Sequence, residues 1–264
     1  MIDYIQGEKF ISLHDGVRVF YRHTHDVNNF FCNEAKNIKR KFILISHNSD
    51  GNIIDYHATL QPKSSDAIAN LMPENLEHWY GQNVNCKHPK IESIPIGLEN
   101  SQWFPETRKI EKLHLKLAEE RTVKNLLYIN HNVVTNPVER LEPYQLFGNR
   151  SWCTSVMGKN GAGFDDYIDN IYNHSFVICP DGNGIDTHRL WECAYLGTIP
   201  IVKLGINTSH YADLPICLVQ NWHEINEAFL NDIYQKIKTR PFNLEKLTFN
   251  FWKNHITYLA KSLS

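Results

Sequence analysis

Residues 175–202 read SFVICPDGNGIDTHRLWECAYLGTIPIV. An apolar run from Phe176 to Cys179 leads into the turn Asp181-Gly182-Asn183-Gly184. A stretch of helical spacing follows, then a stop at Gly197 and a second apolar run from Ile199 to Val202. Strands joined by so short a helix must run parallel, with a right-handed crossover. The glycine turn and the start of the helix then lie together at the carboxyl edge of a sheet, where open α/β sheets take their ligands.

The residue types in this unit suit an anionic ligand. Gly182 and Gly184 let the backbone come close, with Asn183 between them a further donor-binding candidate, and Asp186 or Thr187 is placed to cap the helix. The first helical turn offers unpaired N–H groups and a positive dipole end, with His188 and Arg189 beside it. Glu192 faces the same side as Arg189 and suits a ribose diol. A plainer reading stands next to this one: Arg189 and Glu192 at i, i+3 also make an ordinary surface ion pair, and glycine loops often only turn corners. G-x-x-x-x-G-K-[ST] is absent, and no third glycine falls at dinucleotide spacing, which argues against a P-loop NTPase.

The rest of the chain divides into two α/β halves. Residues 8–22 read as a hairpin around His14-Asp15-Gly16, followed by strands at 41–46, 76–81 and 91–96 and a helix over 64–72. Residues 106–121, charged and of helical spacing, read as the connection between a domain at 1–105 and another at 122–264. In the second, a strand at 126–130 precedes a helix opened by Asn136-Pro137 and closed at Gly148. A strand at 152–156, a helix at 164–173 and the unit above follow. A strand at 217–220 and helices at 222–238 and 244–263 complete a Rossmann-like alternation.

Candidate residues outside the opening unit follow from this topology. Asn130, Asn132 and Arg140 leave the first strand of the second half toward the glycine loop and are candidates for the diphosphate or sugar, although loop asparagines also serve turn backbone. In the first half, the strand at 41–46 ends in His47-Asn48-Ser49-Asp50-Gly51, so Asp50, or next His47, is placed to act as a general base, with Glu99 third. The same residues would also make a good turn. Trp79, Tyr80, Glu99 and Trp103 are candidates for an acceptor platform, against the ordinary reading of strand aromatics as core.

With a net charge of −2, the chain is a poor partner for nucleic acid or an anionic membrane. The first ten residues lack a basic flank followed by an apolar core, and no run is long enough to span a bilayer; a cytoplasmic setting is expected. Six dispersed cysteines without C-x-x-C read as reduced core thiols. Neither H-E-x-x-H nor Asp-x-Asp occurs, so no metal site is expected.

The pattern Asp186-x-x-Arg189-x-x-Glu192-x-x-x-x-Gly197-x-Ile199-Pro200-Ile201-Val202 resembles the donor-binding signature of the exostosin-like (GT47-type) glycosyltransferases, most strongly over residues 126–202. The resemblance implies two Rossmann-like domains facing a cleft (GT-B type). It implies a nucleotide-sugar donor held by the second domain, a glycan acceptor held mainly by the first, and no obligatory cofactor or metal. A UDP-sugar is favoured, and the Asp-Thr-His-Arg form is similar to xylose-transferring members, making UDP-xylose an early donor to test. The anchor and stem of eukaryotic members are missing here, so their Golgi setting and glycosaminoglycan substrates are not carried over. A nucleotide-sugar epimerase or hydrolase, or a non-catalytic nucleotide- or sugar-binding protein, is the alternative.

Overall fold

A computed structural model describes residues 2–54, 70–103, 107–157 and 163–263. Two parallel sheets organise them. The first runs β1 (Val19–His23), β2 (Phe42–His47), β3 (Leu76–Gly81) and β4 (Ile91–Ser93), hydrogen-bonded in that order. All six residues of β2, FILISH, are buried, as a strand covered on both faces of a parallel sheet requires. The second sheet holds β5 (Asn125–Ile129), β6 (Cys153–Ser155), β7 (His174–Ile178), β8 (Ile199–Lys203) and β9 (Cys217–Val219) in the order β6-β5-β7-β8-β9. Its order reverses between β5 and β7, which makes the loops after those two strands the switch point. The expected pair of Rossmann-like halves is therefore the architecture of the chain.

Two expectations are changed by the fold, and one lies largely beyond the described residues. Residues 8–22 form no hairpin: a short helix (Gly7–Ile11) buries Phe10, and β1 pairs parallel with β2. Asp15 Oδ1 accepts the N–H groups of Val17, Arg18 and Val19, a side-chain turn that feeds the chain into β1 without a preceding hairpin strand. The helix expected over 64–72 falls largely outside the described residues. The second change concerns the end of the chain, which does not stay in the second half.

The Phe249–Ser262 helix buries Phe249, Trp252, Ile256 and Ala260 in one cluster with Ile5, Phe10, Val19, Ile43, Ile45 and Tyr80 of the first half. Helical spacing gives it one apolar stripe, and the first sheet has a matching open face. Thr248 opens the helix by accepting the Phe251 N–H. The halves also share a core, because Tyr4, Ile96 and Leu98 pack with Leu113, Trp191, Tyr195 and Tyr211. Leu113 comes from the connecting helix (Thr107–Leu117), and the Ile5 N–H donates to Tyr195 Oη at 3.0 Å. Cys179 and Cys193 are buried thiols with sulfurs 3.9 Å apart.

Candidate active site between the two sheets

The carboxyl ends of both sheets face one another. From the first come residues 47–50 after β2, Gln82 and Asn83 after β3, and residues 94–100 after β4. From the second come the loops after β5 and β7 and the His188–Tyr195 helix. A cavity of about 370 Å³ lies between, lined by His47, Asn48, Ser49, Asp50, Gln82, Ile96, Glu99, Asn100, Trp103 and His188.

The helix starts at His188. Thr187 is its N-cap with extended backbone, and no side chain caps it. Neither Thr187 nor Asp186 plays the capping part expected of it, because Asp186 is occupied elsewhere. Its Oδ2 accepts the Ile96 N–H at 2.8 Å, its Oδ1 accepts Trp191 Nε1–H at 2.9 Å, and its own N–H donates to Asn83 Oδ1. Asp186 is 3 % exposed and therefore ties the halves together instead of meeting a ligand. Burial pushes its carboxyl up to about 6, against the hydrogen bonds from Ile96 and Trp191.

Arg189 turns the other way. Its guanidinium lies over the Tyr167 ring, 4.8 Å from the centroid, and Nη1 is sealed from solvent with no hydrogen-bond partner. Burial opposes the charge, but Tyr167, Cys179, Cys193 and Glu192 more than offset it, so the proton is held more firmly than usual. Burial and the charge of Arg189 both push Arg140 down. Glu192 is corrected from the expected open ribose contact: it is buried, and its Oε2 accepts the Tyr167 hydroxyl at 2.6 Å. Sequence reading missed Tyr167, which supports Arg189 and Glu192 together from the Phe164–Tyr172 helix. Its spacing marks only an amphipathic helix, and the contact lies more than twenty residues away in sequence.

The glycine loop is shaped by protein neighbours. A Cβ at Gly184 would sit 2.7 Å from Asn83 Nδ2 and 2.9 Å from the Asp50 carbonyl oxygen; one at Gly182 would sit 2.6 Å from Arg140 Nη2. Both glycines thus admit the opposite half or the β5 loop, where a ligand had been expected. Arg140 donates from Nε to the Asp181 carbonyl and from Nη1 to the Asn132 carbonyl, so it joins the two switch-point loops. Asn132 accepts the Val134 N–H within its turn, and Asn130 donates to Tyr128 Oη at 2.6 Å. Asn183 donates across the gap to Asp50 Oδ2 at 3.2 Å.

On the first half's side, His47 is corrected as a base. Its Nε2 meets the Pro95 carbonyl at 3.0 Å, which requires a proton there, and Nδ1 then accepts the Asn48 N–H at 2.8 Å. Burial holds the ring down at about 4, hence neutral, with both nitrogens engaged. Trp79 and Tyr80 are fully buried and form no platform; Trp79 Nε1–H donates to Ser46 Oγ, as an inner strand covered on both faces demands. Trp103, 73 % exposed, stands at the cavity wall, as do the carboxylates of Asp50 and Glu99. Sequence reading also passed over Asn48, Gln82, Asn83 and Asn100. Asn48 and Asn83 have left-handed backbone, φ 58° and 56°, and bond the surrounding loops.

Glu99 and His188 meet across the cavity wall. His188 Nδ1 lies 2.7 Å from the Gly97 carbonyl oxygen, and Nε2 lies 3.3 Å from Glu99 Oε2. Gly97 is obligatory here: its φ is +69°, and a Cβ would fall 2.3 Å from the Ile5 carbonyl oxygen. Among the described residues no helix is long and apolar enough to cross a membrane.

No protein-family model and no curated protein matches the chain, so the exostosin-like resemblance rests on its motif. Solved structures with some likeness include an α,α-trehalose-phosphate synthase (UDP-forming) from Burkholderia vietnamiensis, 10 % identical over 97 % of this chain and 77 % of that one, with a TM-score of 0.46. An α1,3-fucosyltransferase is 10 % identical over 98 % and 88 %, with a TM-score of 0.39. WaaG, a glycosyltransferase involved in lipopolysaccharide biosynthesis, is 13 % identical over 93 % and 81 %, with a TM-score of 0.32. At such overlaps none of them assigns a role to a residue of this chain.

Proposed function

We propose that the chain is a glycosyltransferase that moves a sugar from a nucleoside diphosphate donor to a hydroxyl of a glycan acceptor. The observation that carries this reading is Arg189: a firmly protonated guanidinium whose Nη1 lacks a partner, beside an uncapped helix N-terminus at a switch point. A buried cation donor left unsatisfied is costly, and a diphosphate supplies the missing acceptors. The cavity next to it supports an acceptor site. Its ionisable wall holds two carboxylates, Asp50 and Glu99, which suit hydroxyl donors, and Trp103 offers a face for a sugar ring.

In the reaction, the acceptor oxygen attacks the anomeric carbon, the bond to the diphosphate breaks, and its electron pair leaves with the phosphate. Charge grows on the leaving group, where Arg189 and the helix N–H groups stand ready, so the chemistry asks for no metal. A UDP-sugar is the first donor to test, UDP-xylose among the first, and the course is taken as inverting. Asp50 is the sequence-favoured base; it is exposed and accepts from Asn183 of the other half.

Calorimetry with UDP, GDP, ADP and NAD on wild type and Arg189→Ala, with and without divalent metal, tests the reading. One nucleoside diphosphate should bind preferentially, lose affinity in the variant and ignore metal. Binding of none, or equal binding by the variant, removes the donor site. Turnover of donor without transfer to any acceptor would point to an epimerase or hydrolase instead.

A further inference from the structure

The cavity brings two ionisable groups of opposite halves, His188 and Glu99, against one another, and the hydrogen bonding of the histidine fixes one of its protons. Because a carbonyl oxygen only accepts, the 2.7 Å contact to Gly97 places a proton on His188 Nδ1. The same ring's Nε2 faces Glu99 Oε2 at 3.3 Å, with both side chains lining the cavity and about three-tenths exposed. Glu99 is itself held: its Oε1 accepts the Asn100 N–H, and its carbonyl accepts from Gln6 Nε2. Asn100 is fixed in turn by the Glu8 N–H and by Asn48 Oδ1.

We propose that His188, with Glu99, is the general base of the transfer, a role that rests on the glycosyltransferase reading and displaces Asp50 from it. In the neutral ring the proton sits on Nδ1, and the Nε2 lone pair lies at the cavity wall beside Glu99 Oε2, where the acceptor hydroxyl must reach it. As the acceptor oxygen bonds to the anomeric carbon, its O–H bond breaks and the proton passes to Nε2. The imidazolium then faces the Glu99 carboxylate, while the donor's electron pair departs with the diphosphate. His188 and Arg189 are consecutive, so the first helical turn carries the base on the cavity side and the guanidinium on the Tyr167 side. Glu99 arrives from the other sheet, so the base is complete only when the halves are together. Among the described residues, the other charged or titratable groups near the pair include Arg189 next to it in the helix, Asp186 beneath the helix start, Asp50 on the cavity wall and His47, which is neutral.

Two readouts test the pair on the full chain. In histidine-ring NMR, with His188→Gln identifying the resonance, His188 should show the Nδ1–H tautomer, and its titration should move to lower pH in Glu99→Gln. An unmoved titration, or an Nε2–H tautomer, overturns the proposal without any substrate. In transfer assays with a panel of UDP- and GDP-sugars and mixed mono- and disaccharide acceptors, Glu99→Gln and His188→Gln should each lower transfer on the order of a hundredfold. Glu99→Gln should also move the acid limb of the pH profile to lower pH and leave nucleoside diphosphate affinity within about threefold. Transfer unchanged in both variants, with Asp50→Asn abolishing it, defeats this assignment and leaves the transferase reading standing. Failure of wild type to bind any nucleoside diphosphate defeats that reading, and the NMR result then decides the proton-sharing pair alone.

Discussion

The two halves use polar residues in opposite ways. In the first half, His47, Asn48, Gln82 and Asn100 of the wall, with Asn83 behind them, satisfy one another and the neighbouring backbone. In the second half, on the side of the His188–Tyr195 helix turned toward Tyr167, Arg189 keeps a buried Nη1 with no partner. Desolvated polar groups in a folded protein are normally paired, so a closed network reads as scaffold, whereas an orphaned cation reads as a place kept for something else. Judged by that contrast, the first half's network shapes the cavity, and Arg189 of the second half, on the Tyr167 side of the same helix, is the place for a ligand's charge.

Breaking the scaffold should give the largest effect. Gly97→Ala puts a Cβ against the Ile5 carbonyl at a left-handed φ and displaces the loop that carries Glu99 and meets His188. Strain and overpacking together should cost about 4 kcal/mol, read as a lower chemical denaturation midpoint. Breaking the ligand site should leave stability nearly intact and remove function. Arg189→Ala should weaken nucleoside diphosphate binding by about a hundredfold, with Arg189→Lys nearly as poor, as calorimetry would show.

The contrast sharpens with pH. Folding holds His47 at about 4, below its unfolded value near 6.5, so its stabilising share is complete above pH 6.5 and is lost as pH falls toward 4. Asp186, raised to about 6, has the reverse sign: its share is complete below pH 4 and is lost as pH rises through 6. Replacing His47 by Gln should flatten the acid side of the stability curve by about 3 kcal/mol between pH 6.5 and 4. Asn183→Ala removes one exposed hydrogen bond to Asp50 and should change the thermal midpoint by less than about 1 °C and stability by about 0.5 kcal/mol or less.

Much of the fold was legible because its strands are local signals. The buried run FILISH, the two runs around the glycine loop and the Asn136-Pro137 helix start each announce themselves within a few residues. The site was legible only in part. Arg189 lies where its motif placed it, whereas the duties of Asp186, Gly184 and His188 are set by Ile96, Asn83 and Gly97, ninety or more residues away. Nothing in local spacing says which half a side chain will serve. The same holds for Trp79 and Tyr80, aromatic in sequence and buried only because a parallel sheet is covered on both faces.

The return of the Phe249–Ser262 helix to the first sheet also sets a timetable for synthesis. The face built from Ile5, Phe10, Val19, Ile43 and Ile45 stays without its cover until residues 249–263 have emerged from the ribosome. The second half, whose strands and their crossovers lie between residues 125 and 219, has its sheet complete earlier. The half made first is therefore the half finished last.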